Sequence, residues 1–278
     1  MRTVHSSRGF TLTELAVVLI IVGLLLGGLF VPLSAQTDMK ARSDNSKTLA
    51  DVRDALIGFA VINGRLPCPA DRIIASGTAN AGIEATTTAS GICACTTAAS
   101  GIATSGGVTC SASPSVTGVL PWATLGLPET DSWGNRYTYR VTTLFAQAAS
   151  GQTTATLGCS QAAPNPNPNP PTPPTNVAFA LCSPGNITIL DAAPIDVPPG
   201  VIIANNIPAI VLSHGKNVVG AYLPTGNVIP TLVTTSNAEV ENANGDATFV
   251  SNSAIDDQVI WITPNLLMNR MMAAGKLP

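Results

Sequence analysis

Apolar residues follow two regimes along this chain. From Phe10 to Val31 they are nearly continuous: Glu14 is the only charge between Phe10 and Asp38, and Leu15 to Val31 carry none. An uncharged run of that length suits a membrane or a protein core that imitates one. From Ala35 the polarity changes while the helical period persists. Leu49, Val52, Leu56 and Phe59 recur at three- and four-residue spacing and make one stripe, with Lys47, Asp51, Arg53 and Asp54 on other faces. Asn63-Gly64 supplies a stop, with Pro67 beyond it. The pattern predicts one helix over 10–63, about 80 Å long at 1.5 Å per residue. Its half at 10–32 is apolar enough to span a membrane, and its half at 33–63 is amphipathic and docks on a head. Pro32 removes a backbone donor at a local cost of about 3 kcal/mol, and Gly23, Gly27 and Gly28 weaken the turns before it. A kink or a melted segment is therefore expected near Gly27 to Pro32.

Beyond the helix the pattern shortens to strand length. Residues 64–72 read as an extended connector, and 76–118, rich in Ala, Ser, Thr and Gly, as a long loop. In Arg136 to Val141, Tyr137, Tyr139 and Val141 alternate with Arg136, Thr138 and Arg140, the pattern of a half-buried strand after the turn at Gly134-Asn135. A proline-rich insertion at 164–175 makes neither ladder nor helix. Strands are predicted at Val177 to Leu181, Ile187 to Leu190, Val201 to Ala204, Ala209 to Leu212, Val218 to Leu223 and Asp256 to Thr263. Pro264 to Gly275 closes the chain as a short helix or turn. The expected class is α+β: a long helix on an antiparallel sheet, with residues 64–278 as a β-rich globular head.

Composition narrows the setting. Only 10% of residues are charged, against about 25% in ordinary soluble proteins, and the net charge is −3. No domain-wide basic character exists, so the electrostatic term that holds nucleic acid is missing. The first nine residues hold Arg2, His5 and Arg8 and no acid, as the cytoplasmic flank of an inserted helix should. Export to an oxidising compartment makes Cys68, Cys93, Cys95, Cys110, Cys159 and Cys182 disulfide candidates bracing the long loops. Sequence does not choose among the pairings. Cys93 and Cys95 are too close to bridge each other easily, and Cys159 and Cys182 flank the proline tract. Zinc on Cys93, Cys95 and Cys110 is the rival, weakened by a shortage of histidine.

Candidate chemistry is sparse. His5 and His214 are the only histidines, no Gly-x-Ser-x-Gly elbow exists, and Ser213 is too local to His214 to imply a triad. His214 reads as part of a turn, Ser213 to Asn217. Asp256 and Asp257 point to opposite faces of their predicted strand, unlike a glycosidase pair. Neither a dinucleotide fingerprint nor a phosphate loop occurs. The reading is non-enzymatic.

The N-terminus carries the specific signal. A short basic leader ends in Gly9, Phe10 follows, and Glu14 is fifth from Phe10. These residues resemble the class III signal of type IV pilins and type II secretion pseudopilins. Asp131-Ser-Trp-Gly-Asn-Arg-Tyr-Thr-Tyr resembles the segment that begins the sheet of major pseudopilins and minor pilins, and Ser213 to Asn217 resembles a turn of such heads. The resemblance implies a pilin-like fold and a leader over 1–9, cut by prepilin peptidase between Gly9 and Phe10, with methylation of the new amine. It implies a single-pass inner-membrane subunit with its head in the periplasm, or outside the cell within a filament. Glu14 would face the Phe10 amine of a neighbouring pilin or pseudopilin subunit, in a minor rather than major role given the long head. Because major pseudopilins have a calcium loop, Asp131, Asp246, Asp256 and Asp257 become weak calcium candidates, although their spacing does not converge; no other cofactor is implied. Two alternatives keep different parts of this reading. A secreted hydrolase or binding module would be cut by ordinary signal peptidase before Gln36. A pilus-tip adhesin would bind a surface ligand or secreted substrate with the loops at 76–118 or 164–175.

Overall fold

The computed structural model describes residues 9–85, 93, 104–105, 108–109, 117–147, 149, 176–231 and 235–277, without the side chains of 25–34, 104–105 and 108–109. The leader residues 1–8, Cys95, Cys110, Cys159 and the insertion at 164–175 lie outside the described residues.

Two compact units are present, Met1–Asp44 and Asn45–Pro278, so the division falls inside the long helix rather than at its end. That helix, α1, spans Leu12–Asn63. It runs unbroken through Pro32, which corrects the expected melted segment. A proline deletes one intrahelical hydrogen bond, and the helix continues on both sides of it. In the first unit every side chain from Phe10 to Leu24 is exposed, Phe10 by 87% and Leu24 by 72%. Among the described residues no helix is long and apolar enough to cross a membrane; the side chains of the second half of the apolar run lie outside that description.

The second unit starts with the amphipathic half of α1. Leu49, Val52, Leu56, Ile57 and Ala60 form its buried stripe. Phe59, expected in that stripe, is half-buried with the Arg65 guanidinium 5.4 Å from its ring centre. Gly64 ends the helix in the left-handed region, φ 69°, donating to Ala60 O. A Cβ there would sit 2.0 Å from Asn176 O, so only glycine fits.

The strands are β1 Thr104–Ser105 and β2 Val108–Thr109, which pair only with each other, then β3 Thr117–Val119. After α2 Trp122–Leu125 come β4 Thr138–Val141 and α3 Thr143–Ala146. Then follow β5 Ile187–Leu190, β6 Ile202–Ile207 and β7 Ala209–Ser213. The chain closes with α4 Asn237–Ala243, β8 Thr248–Val250, β9 Gln258–Ile262 and α5 Pro264–Ala273. The main sheet has order β3-β4-β7-β9 and is antiparallel throughout. A second sheet, β6-β5-β8, contains one parallel pair, β5 with β8, so the head is not purely antiparallel. The parallel pair is reached through a long connection whose last element, α4, packs Ala238 against Val250.

Both faces of the main sheet are covered. Tyr139, Val141, Ala209, Val211 and Ile262 face the α1 stripe, while Ile210 and Leu212 meet Ile187, Ile189 and Phe249 of the second sheet. The expected half-buried strand is thus buried on both sides: Arg136 is fully buried and Thr138 nearly so. Two predicted strands do not form. Val177 to Ala180 are core residues whose backbone binds Gly64 O through Ala178 N, and Val218, at φ 59°, breaks the run that ends at Leu223.

Cys68 pairs with Cys93, both inside the main core. This pairing removes Cys93 from any zinc site. Cys182 is also disulfide-bonded, to a partner outside the described residues. Closing a 25-residue separation predicts a loss of about 3 kcal/mol in urea unfolding for the Cys68→Ala, Cys93→Ala double variant. A loss below about 1 kcal/mol would show that core packing alone holds this loop.

Candidate functional site

The residues singled out by the sequence occupy two places. At the head of α1, Thr11 is the N-cap and Glu14 is the third helical residue. The Glu14 carboxylate, through Oε2, accepts from Thr11 N at 2.8 Å and Thr11 Oγ1 at 2.9 Å, and Glu14 N donates to Thr11 Oγ1 at 3.3 Å. This is a capping box, two orphan backbone donors satisfied reciprocally at a helix start. The Thr-x-x-Glu signal was visible in the sequence but hidden behind the more conspicuous placement of an acid in an apolar run. Within one chain, then, Glu14 already has partners. It is nevertheless exposed, as are Gly9 and Phe10 beside it.

The second place is in the head, where the two stretches read separately, 131–141 and 209–217, come together. β4 pairs with β7, Thr138 opposite Leu212 and Tyr139 opposite Val211. Asp131 organises the turn before β4: Oδ1 accepts from Trp133 N and Asn135 N, both at 2.9 Å, and Oδ2 accepts from Ser213 Oγ at 2.6 Å. Burial pushes the Asp131 carboxyl up, and these hydrogen bonds oppose the shift. His214 is buried, its Nε2 lies 3.0 Å from Thr138 Oγ1, and burial pushes it down to about 4. Ser213 therefore bonds a carboxylate and His214 a hydroxyl, so the two do not form the nucleophile–base contact a triad needs.

Arg136, read as a solvent-facing position, is the buried centre of this region. Its Nε donates to Glu129 Oε1 at 2.8 Å, Nη1 to Arg72 O at 3.2 Å, and Nη2 to Ser76 Oγ at 3.2 Å and Pro224 O at 3.1 Å. The Trp122 ring centre is 4.7 Å from its guanidinium. Nothing in the alternation of residues 136–141 distinguishes this arginine from Arg140.

The four acids named for calcium do not meet. Asp131 is occupied as described, and Asp246 caps its own turn by accepting from Thr248 N at 2.7 Å. Asp256 and Asp257 precede β9 rather than alternating within it. Asp256 accepts from Asn217 N at 2.8 Å, and Asp257 accepts from Asn242 Nδ2 at 2.7 Å. Burial pushes Asp257 up to about 7; the Asn242 bond opposes this, while Asp256 and Glu239 reinforce it. Among the described residues no three of His, Cys, Asp or Glu gather as metal ligands.

Residues 4–30 match the family model of the prokaryotic N-terminal methylation motif. The chain carries that motif. No curated protein and no solved structure matches the chain significantly. The methylation motif is the class III signal of type IV pilins and pseudopilins and marks a substrate of prepilin peptidase. It ends within α1, so the capping box at Thr11 and Glu14 lies inside it and the head lies beyond it.

Proposed function

We propose that this protein is a non-enzymatic structural subunit, a minor pilin or pseudopilin, of a type IV pilus or type II secretion filament. The observation that carries this reading is the methylation motif at residues 4–30 running into a helix whose apolar side chains, Phe10 to Leu24, are all exposed. An exposed stripe of that size is not stable in water and calls for lipid or for copies of itself. Before assembly, residues 10–32 hold the chain in the inner membrane with the head in the periplasm. Prepilin peptidase cuts after Gly9. The subunit then leaves the bilayer by packing its helix among those of other pilin subunits, where Glu14 meets the Phe10 amine of a neighbour. Pairing of the two charges offsets their burial in an apolar bundle. Contact in the head between the 131–141 and 209–217 stretches supports the same reading, because both resemble pieces of pseudopilin heads.

Mass spectrometry of the mature N-terminus tests it. The expected result is a chain beginning at Phe10 with a methylated amine. A chain beginning at Gln36 would assign the apolar run to an ordinary signal peptide and remove the assembly role.

A further inference from the structure

A second feature lies in the head, away from the N-terminal motif, and the assignment of its occupant to another subunit rests on the assembly reading above. Between the amphipathic half of α1 and β9, the last strand of the main sheet, lies a cleft of about 300 Å³. Its lining includes Ser46 and Leu49 from α1, Ser251 and Asp257, and Val259 and Ile260 from β9. That volume is at the low end for ligand sites, enough for one side chain or a small molecule.

Asp257 makes the cleft chemically distinctive. It is only 8% exposed, Asn242 Nδ2 holds its Oδ2 at 2.7 Å, and its Oδ1 has no hydrogen-bond partner. Asn242 is itself fixed, exchanging hydrogen bonds with Val250 N at 2.7 Å and Val250 O at 3.0 Å. The charged groups that act on it are Glu239 of α4 and Asp256, both acids. Those lining the cleft from α1 and β9 are uncharged. A buried carboxylate among acids, with one oxygen idle, is unfavourable until a cation reaches it. A bare metal ion is a poor match, since calcium requires a cage of about six to eight oxygens and no three ligating acids gather here among the described residues. The rest of the lining points to a different cation. Leu49 and Ile260, on the face of β9 that packs against α1, offer an aliphatic wall along the cleft, which suits a methylene stem carrying a charged head.

We propose that this cleft receives an alkylammonium or alkylguanidinium group, the chemistry of a lysine or arginine side chain, with its head on Asp257 and its stem along Leu49 and Ile260. The source is either a basic side chain of another protein subunit or a free amine.

Full-length protein in detergent micelles at pH 8, above the value of about 7 for Asp257, is titrated with n-butylammonium and n-butylguanidinium, with n-butanol as the uncharged control. Amide resonances of Ser46, Ser251 and Val259 report occupancy. The expected result is saturable binding of both cations and none of butanol. Binding should fall at least tenfold in Asp257→Asn, which keeps an acceptor for Asn242, and at least tenfold in Ser251→Leu, which fills the cleft and leaves the acid. Both variants are checked for an unchanged thermal unfolding midpoint or better. Absence of saturable binding to the wild type, equal binding of butanol, or equal binding by Asp257→Asn would each overturn the proposal. A photo-crosslinker at Ser46 in assembled material then separates the sources: capture of another subunit identifies a basic side chain, and binding of the probes without capture identifies a free amine.

Discussion

Arg136→Met is expected to lower the unfolding free energy of the full chain by about 3 to 5 kcal/mol, the range for removing one partner from a buried charged network. The guanidinium is fully buried, and four of the head's segments converge on it: the connector at Arg72 and Ser76, α2 at Trp122, the turn at Glu129 and the loop at Pro224. Glu129 keeps 25% of its side chain exposed, so water can compensate it in part. The backbone acceptor Arg72 O would lose the Nη1 donor, at about 1 to 3 kcal/mol if it stays dry, whereas Pro224 O keeps Ser76 N at 2.7 Å and Ser76 Oγ at 3.0 Å. A methionine fills most of the volume, so the loss reports hydrogen bonding more than a cavity. Arg136→Lys should recover less than half of it, because an ammonium reaches Glu129 but lacks the fork that serves the other acceptors at once. Glu129→Gln should cost less than Arg136→Met. Urea unfolding with the disulfides intact measures all three, and a cost under about 1 kcal/mol for Arg136→Met would mean that the converging segments are held by apolar packing instead.

How the sequence relates to this fold is clearest at such positions. The long helix was legible because its stripe keeps the 3.6 period from Leu49 to Leu56 and because Gly64 supplies a residue that can adopt φ 69°. Strands at Ile187, Ala209 and Gln258 were legible for the same kind of reason, a run of β-branched residues between turns. Burial of Arg136 and Thr138 was not, since alternation says which residues share a face but not whether a second sheet will cover it. Val177 to Ala180 show the converse: an apolar run identifies core, and here the backbone finds its partner in a helix C-terminus rather than a ladder. The disulfide from Cys68 to Cys93 depends on which loop end the core brings close, information that no spacing carries. The helix α4 was missed although Ser236 and Glu239 form a capping box, because its seven residues are too short for periodicity to register. Thr11 and Glu14 were in plain view, and the geometry shows the capping role of this carboxylate; its pairing with a neighbour's amine belongs to the proposed function.

The proposed pairing, added to the observed cap, sets the second large effect. Glu14→Leu removes both the cap and the charge, and is expected to leave processing after Gly9 intact while reducing incorporation into filaments by tenfold or more. The sharper variant is Glu14→Gln. Glutamine can accept from Thr11 N as glutamate does, so the capping box and the helix start survive. What is lost is the negative charge available to a neighbour's Phe10 amine, and in a bundle of apolar helices an ammonium left without a counter-charge is costly. Glu14→Gln should therefore assemble nearly as poorly as Glu14→Leu. Thr11→Ala makes the opposite cut: it deletes the hydroxyl partner at 2.9 Å and the acceptor for Glu14 N while keeping the acid. If charge pairing drives entry, Thr11→Ala incorporates close to normally, with the first turn of α1 slightly frayed. If capping is the main task of Glu14, the ranking inverts, with Glu14→Gln assembling like the parent and Thr11→Ala failing. Immunoblotting of sheared filaments against total processed protein reads the ranking directly. Uncleaved precursor in any variant would mean that the substitution acts on the peptidase instead of on assembly.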